Sequence, residues 1–572
     1  MIRFISLRSA RLVAASILAF APAASAATFH FEGKVGERID ANVRNWLCRA
    51  PVANPAMLEM FALRDRLPPP NLVDWAGEFV GKYLISGVQA MRMSDDPCLR
   101  ATLSNVVDRL IALQAEDGYL GPWPQKDRLL GHWDLWGHYH VILGLLLWNE
   151  STGDARALAA AQRAADLACK IYLDGKRSVL DAGSHEMNMS SLHGFALLYQ
   201  KTREPRYLAL CEKIISELPK AGDYLNTGLQ GVEFFKTPRP RWESLHALQG
   251  LAEMWRITGD ERYKRAFLHH RASIRRFDVH NSGSFSSGEQ ATGNAFKEEA
   301  IETCCTIAWA AMMIDALAIT GDPRIADDLE LTFYNAICAA QHPSGDWWTY
   351  DTPMNGRRTA SQHTIVFQAR PGSPELNCCS VNGPRGLGML SEWAVMDISN
   401  RLTLNYLGPM TFSNIVRVTG NYPFEDAVRI ETKSALAIRI PGWATNAQVV
   451  VNQSRARQQA VDTYFQAAAG DRIELKLNFP TWYAAGEREQ AGRVSLYRGP
   501  LLLAYDQKHN PFDDAGIPTV DLNRLEVTAK PGDWLIADLP DLRLCDFANA
   551  GASGTYYRTW LRATNFPVAS PP

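Results

Sequence analysis

Ser151-Thr152-Gly153-Asp154-Ala155-Arg156 returns, with changes, as Lys201-Thr202-Arg203-Glu204-Pro205-Arg206, Ile257-Thr258-Gly259-Asp260-Glu261-Arg262 and Ile319-Thr320-Gly321-Asp322-Pro323-Arg324. The threonines stand 50, 56 and 62 residues apart. In three of the four segments a Gly is available to end a helix in the left-handed conformation, and the Asp after it can cap the next helix; Pro323 suits a first turn. Each segment therefore reads as a corner between two helices. The flanks agree, because Val141 to Trp148, Leu192 to Tyr199, Leu245 to Trp255 and Ile307 to Ile319 are apolar on most faces, the pattern of helices buried among neighbours. Helix pairs repeating about every 55 residues over roughly 330 residues make about six pairs, enough to close a toroidal (α/α)6 barrel. Repeats this long and irregular fit closure better than an open solenoid.

The pattern changes near residue 400. Leu402-Thr403-Leu404-Asn405-Tyr406, Val428 to Thr432, Leu436 to Ile440, Ala447 to Val451 and Ile473 to Leu477 largely alternate with period two between Pro and Gly turns, as strands of an antiparallel β-sandwich do. The expected division is a signal peptide over 1–26, the barrel over 27–400 and β-sandwich modules over 401–572. Such modules usually pack or bind, so no chemistry is assigned to them.

Arg3, Arg8 and Arg11 precede the apolar run Leu12 to Phe20, and Ala24-Ser25-Ala26 supplies small residues for signal peptidase, so export to the periplasm or beyond is expected. Loss of three arginines with no acid takes the net charge from -2 to -5. That balance carries no footprint for nucleic acid or an anionic membrane and suits a neutral partner. No later uninterrupted apolar run approaches the ~20 residues that span a bilayer.

Export makes the ten cysteines informative. The adjacent pairs Cys304-Cys305 and Cys378-Cys379 are poorly placed for ordinary disulfides, whereas a metal would protect them. Glu302, Cys304, Cys378 and Cys379 would fill four tetrahedral positions around Zn²⁺. Residues two apart share a side in extended chain, so Glu302 and Cys304 are expected just before a helix, and Cys378-Cys379 just before the last barrel helix. The spacing is not a zinc-ribbon pattern and by itself leaves metal and no metal equally open. Cys48, Cys98, Cys169, Cys211, Cys338 and Cys545 read as buried small hydrophobes or disulfide partners.

Glu302-Thr303-Cys304, Cys378-Cys379 with Asn382 and Arg385, Ser287-Gly288-Glu289, Leu436 to Ala444 with Asn446, and Gly492 to Leu501 follow one another in an order that resembles glycoside hydrolase family 127, the β-L-arabinofuranosidase-like family, over nearly the whole mature chain. The resemblance implies a six-pair α/α barrel with β-sandwich modules and Zn²⁺ held by Glu302, Cys304, Cys378 and Cys379. It further implies Cys378 as nucleophile and Glu289 as acid/base in a retaining, exo-acting hydrolysis that releases L-arabinofuranose or a related sugar from a glycan. Asp134, His140, His185, His246 and Tyr350 become candidate sugar contacts. Where the family places a further histidine the register gives Asn188, Ser380-Val381 replaces prolines after the Cys pair, and Cys305 is an additional thiol. Two other classes fit a barrel of this kind: a polysaccharide lyase or sugar epimerase, and a carbohydrate-binding protein with structural zinc. Neither explains the Glu-Cys-Cys-Cys set as a catalytic device.

Overall fold

The computed structural model describes residues 28–361, 376–444, 446–525, 527–530 and 535–566; the expected signal peptide lies outside them. Twelve of the described helices alternate between an outer and an inner position. They are α1 (Gly33–Asn42), α2 (Phe79–Met91), α3 (Pro97–Ala112), α4 (Asp134–Thr152), α5 (Ala155–Cys169), α6 (Ser191–Thr202), α7 (Pro205–Ala221), α8 (Ser244–Thr258), α9 (Glu261–Phe277), α10 (Thr303–Thr320), α11 (Pro323–Leu331) and α12 (Cys378–Gly388). The even-numbered helices touch in the order α2, α4, α6, α8, α10, α12 and back to α2, so the ring is closed. α3, α5, α7, α9 and α11 each pack on the inner helix before them, and α1 runs into a π-turn at Val43–Leu47 that lies on α2 and α3. Every residue of α2 and of α12 is buried, as a wall between a core and a central site requires.

The corners form as their residues dictate. Gly153, Gly259 and Gly321 end their helices at φ of 75°, 72° and 64°, and Asp154, Asp260 and Asp322 accept from the backbone N–H two residues on. In the second corner Arg203 takes the left-handed position at φ 59°, and Glu204 provides no side-chain cap. The threonine is the constant element. Thr152, Thr202, Thr258 and Thr320 each donate to the carbonyl four residues back and accept from the N–H two residues on, closing the corner from both sides.

After α12 the chain is built of strands, mostly antiparallel, in three sheets among the described residues. Arg401–Leu404, Ala427–Thr432, Leu436–Ile440, Gln448–Val451 and Arg472–Lys476 lie where alternation places them. Two pairings are parallel, Leu404 with Ile438 and Val520 with Ala563. Phe29–Phe31, at the other end of the sequence, joins the first sheet beside Met410–Phe412.

The strand Leu436–Ile440 is buried on both faces and carries Arg439 into the barrel's flank. There Arg439 donates to Asn405 O at 2.8 Å, to Glu330 at 2.7 Å and to Asp327, the last two on α11. Trp443 and Tyr422 donate to the same Glu330. The conspicuous motif Leu436 to Ala444 is thus a buried polar dock between the two halves.

Candidate active site

The site forms where α10 and α12 begin. Segment 349–351 runs alongside the start of α10: Thr303 N–H donates to Tyr350 O at 2.8 Å, Thr303 Oγ1 donates to Thr349 O at 2.9 Å, and Glu302 bridges Asp351 in antiparallel fashion. This holds Glu302 extended at ψ 137°, and the helix starts at Thr303. The expectation that Glu302 and Cys304 both precede the helix is therefore corrected. Cys304 sits in the first turn, and the bend from extended to helical chain is what brings it to the side of Glu302.

Cys378 and Cys379 likewise open α12 instead of preceding it. Asn377 caps that helix by accepting from Cys379 N–H at 3.0 Å and Ser380 N–H at 2.9 Å, while Ser380 Oγ accepts from Asn377 N–H at 2.9 Å. Ser380, a departure from the family pattern, completes a reciprocal cap. Ser86 Oγ donates to Val381 O at 2.8 Å and fastens α12 to α2.

These two helix starts bring four donors together, all within 4.8 Å of one another. Cys379 Sγ is 3.6 Å from Cys304 Sγ, 3.9 Å from Cys378 Sγ and 3.3 Å from Glu302 Oε1; Cys378 Sγ is 4.0 Å from the same oxygen. Ligands about 2.3 Å from a tetrahedral centre stand roughly 3.8 Å apart, so the donors already have the spacing of a metal's coordination shell. Burial pushes Glu302 well above the carboxylate range and Cys304 up to about 12. Cys304 and Cys379 donating to it draw the Cys378 thiol down to about 6. Four buried acidic groups with one nearby ammonium are costly without a further cation, and this group could hold a metal ion. Cys305 donates to Glu302 Oε2 at 3.6 Å, which orients the carboxylate.

Around this set lie residues that the sequence singled out and others that it did not. Tyr350 Oη is 3.7 Å from Cys378 Sγ. His246 Nδ1 meets Gln249 at 2.9 Å and Tyr139 Oη at 3.2 Å, and its ring stands 6.0 Å from that of His140. His140 Nδ1 meets Trp136 O at 3.0 Å, while its Nε2 is buried with no protein partner. Burial holds both imidazoles well below their ordinary pKa, so they are neutral. His185 opens the short helix His185–Met189 and is half-buried. Asp134 is taken up elsewhere, accepting from Tyr119 Oη at 2.9 Å and Leu129 N–H at 2.8 Å, and Asn188 binds the carbonyls of Val179 and Gly183.

Glu289 lies at φ 66° after Gly288, on a loop bridged to segment 241–242. Its Oε2 accepts from Arg241 Nη2 at 2.8 Å, and Arg241 also binds Glu243 at 2.8 and 3.1 Å. Glu186 stands 3.6 Å from the same guanidinium. Burial pushes Glu243 up to about 7. Glu298 faces away, bound to Asn355 at 3.0 Å and Gln490 at 2.9 Å, and Glu299 pairs with Lys297.

Lys82, Glu78, Arg241 and Glu243 escaped sequence reading. Lys82 is fully buried, 2.8 Å from Glu78 and 3.9 Å from Cys304 Sγ, with the rings of Trp136 and Trp242 at 5.5 and 5.2 Å. A single Lys in the apolar run Phe79 to Met91, four residues after a Glu, was the available signal.

Two family models cover the chain: the β-L-arabinofuranosidase GH127 catalytic domain over residues 39–392 and the GH127 middle domain over 398–487. A non-reducing end β-L-arabinofuranosidase of Bifidobacterium longum subsp. longum is 23% identical over 504 residues, covering 76% of each chain. Among solved structures, a GH127 β-L-arabinofuranosidase from Geobacillus stearothermophilus T6 superposes with a TM-score of 0.75 at 18% identity, over 94% of this chain and 100% of that one. A second GH127 β-arabinofuranosidase gives 0.76 at 17% identity, over 94% and 97%. The closed helical ring, the β-rich region behind it and a catalytic-domain match across most of the ring give one conclusion: the chain belongs to glycoside hydrolase family 127 and is a glycoside hydrolase.

Proposed function

We propose that the protein is a retaining, exo-acting hydrolase releasing L-arabinofuranose or a related sugar from a glycan, with Cys378 as nucleophile, Glu289 as acid/base and Zn²⁺ held by Glu302, Cys304, Cys378 and Cys379. The observation that carries this reading is the convergence of three thiols and one carboxylate at two helix starts, with Cys378 the least enclosed of the three cysteines. Cys378 is 8% exposed, against 0% for Cys304 and Cys379, so of the three cysteines it lies nearest the open side of the site. Thiolate donors favour Zn²⁺ over Mg²⁺ or Ca²⁺, and the bound ion would keep the sulfurs deprotonated.

Cys378 Sγ forms a bond to the anomeric carbon as the glycosidic C–O bond breaks, and Glu289 gives its proton to the departing oxygen. Glu289 then takes a proton from water, which displaces the sulfur and restores the original configuration. Arg241 fixes the Glu289 carboxyl between turnovers. Three carboxyls, Glu186, Glu243 and Glu289, share Arg241, and burial raises Glu243 among them to about 7. His140, His246, His185 and Tyr350 supply donors and acceptors for sugar hydroxyls; Asp134 shapes the loop at the start of α4. The signal-like N-terminus would deliver this activity outside the cytoplasm, where glycans are met.

Reduced protein should carry one zinc per chain by elemental analysis. A thiol-directed glycosyl inactivator should add its mass to Cys378; full activity without zinc, or label solely on Cys379, would overturn the assignment.

A further inference from the structure

Eight of the ten cysteines are buried; the other two, half-buried Cys48 and exposed Cys98, meet outside the active site. Their sulfurs lie within 4.8 Å of each other although the residues stand on different elements. Cys48 follows the π-turn Val43–Leu47 that ends the first outer helix, and Tyr83 of α2 donates to Leu47 O at 2.7 Å, so its backbone is fixed. Cys98 lies in the first turn of α3, capped by Asp96.

We propose that Cys48 and Cys98 are a redox site that closes as a disulfide and staples the first outer helix to α3. Sulfurs within 4.8 Å of each other approach bonding distance through adjustment of the two side chains and the local backbone. Asp96 completes a triad of possible metal donors, yet its Oδ1 accepts from Cys98 N–H at 2.8 Å and its Oδ2 faces Arg44 Nε at 3.9 Å. Both carboxylate oxygens thus face other partners, Cys98 Sγ lies 3.8 Å from Thr102 Oγ1, a weak thiol contact, and a covalent bond between the sulfurs is favoured over a cation.

The oxidant is a disulfide capable of exchange, such as glutathione disulfide or the disulfide of a thiol oxidoreductase. The exposed Cys98 thiolate attacks one of its sulfurs, forming a mixed disulfide and releasing one thiolate. Cys48, whose thiol burial pushes up, then attacks the Cys98 sulfur as it gives up its proton, and the second thiolate leaves and is protonated. The two cysteines lose two protons and two electrons; the reagent gains both and departs as two thiols. The closed loop spans α2, the inner helix carrying Lys82, and leaves the active-site thiols untouched.

The test uses the full chain, incubated with glutathione disulfide, alkylated without reduction and digested. The expected result is a linked peptide pair containing Cys48 and Cys98, the intact mass lower by two hydrogens, and alkylation of both only after reduction. The oxidised protein should melt a few degrees above Cys98→Ser, and the gap should vanish in a phosphine reductant. Free alkylation of both thiols after oxidation overturns the proposal. So does protection that a chelator removes with no linked peptide, which means a bound metal. A linked pair with no difference in Tm overturns the stapling role.

Discussion

The inside of the helical ring and the inside of the β-rich region are built on opposite principles. Inner helices bury Lys82, His140, His193, His246 and three active-site cysteines, and the residues just before α8 and α10 add Glu243 and Glu302. The sheets bury mainly Leu, Val, Ile and Tyr; their buried charges, such as Arg439, gather where they dock on the barrel or pin turns. Burying polar groups costs stability unless each is paired. The ring accepts that cost at its centre, where chemistry needs neutral imidazoles and crowded thiols, and the sheets lend it an apolar, well-paired support.

Removing a reactive group from the ring should change rate and spare the fold. Glu289→Gln is expected to slow hydrolysis of a substrate with a poor leaving group about 10²- to 10⁴-fold, with zinc content unchanged. A nitrophenyl glycoside, whose leaving group needs no proton, should lose less. Normal turnover in Glu289→Gln with loss in Glu298→Gln would move the acid to the wrong side of the loop and break this account of the centre.

Cutting the dock should do the reverse. Arg439→Met leaves buried Glu330 and partly buried Asp327 without their cation and should lower unfolding free energy by roughly 3–5 kcal/mol, while kcat well below the new Tm stays near wild type. A drop in kcat with an unchanged denaturation midpoint would mean the dock acts on the site and not on stability.

Acid should attack the ring first. Burial pushes His138 down to about 3, and His193, His270 and His280 to about 4. An unfolded chain takes up these protons from about pH 6.5 downward, whereas the fold resists until about pH 4. The unfolded state therefore binds more protons across that window, and stability is full above pH 6.5 and falls toward pH 4 by several kcal/mol in all. His509 is the one histidine after residue 400 and is not deeply buried. Hydrogen exchange between pH 7 and 4 should show ring helices opening before the strands; uniform opening would erase the contrast.

The smallest effect belongs to the corners. Asp154→Ala removes one cap and should cost about 1 kcal/mol. The same change at Glu204, which caps nothing, should cost less, and equal losses would mean that the Thr contacts alone hold these turns.

The corners were legible because their physics is local: a Thr, a left-handed residue and a capping Asp lie within a few positions. Strands after residue 400 were legible for the same reason, since alternation needs no partner to be seen. The cysteine set was half legible. Adjacency suggested a metal, but only the approach of segment 349–351 and the Asn377 cap explain why Cys304, Cys378 and Cys379 all sit in first helical turns. Lys82 and Arg241 were hidden because ring closure, not sequence proximity, brings them to Cys304 and Glu289. Asp134, singled out as a sugar contact, accepts from Tyr119 and Leu129, neighbours that the spacing of the sequence did not announce.

The strand Phe29–Phe31 sits beside Met410–Phe412, and Arg38 on α1 donates to Gln341 O at 3.2 Å and Ala548 O at 3.1 Å. During synthesis the first strand and outer helix therefore leave the ribosome hundreds of residues before these partners exist, although α2 and α3 follow soon after. The distant contacts must wait, unsatisfied, until nearly the whole polypeptide has been made. α12, which brings Cys378 to α2, is itself the last inner helix translated, so ring closure and assembly of the reactive centre are late events of the same moment. Ending translation near residue 400 would release a chain with every catalytic group present and its opening strand still unpaired, an orphan exposed to aggregation.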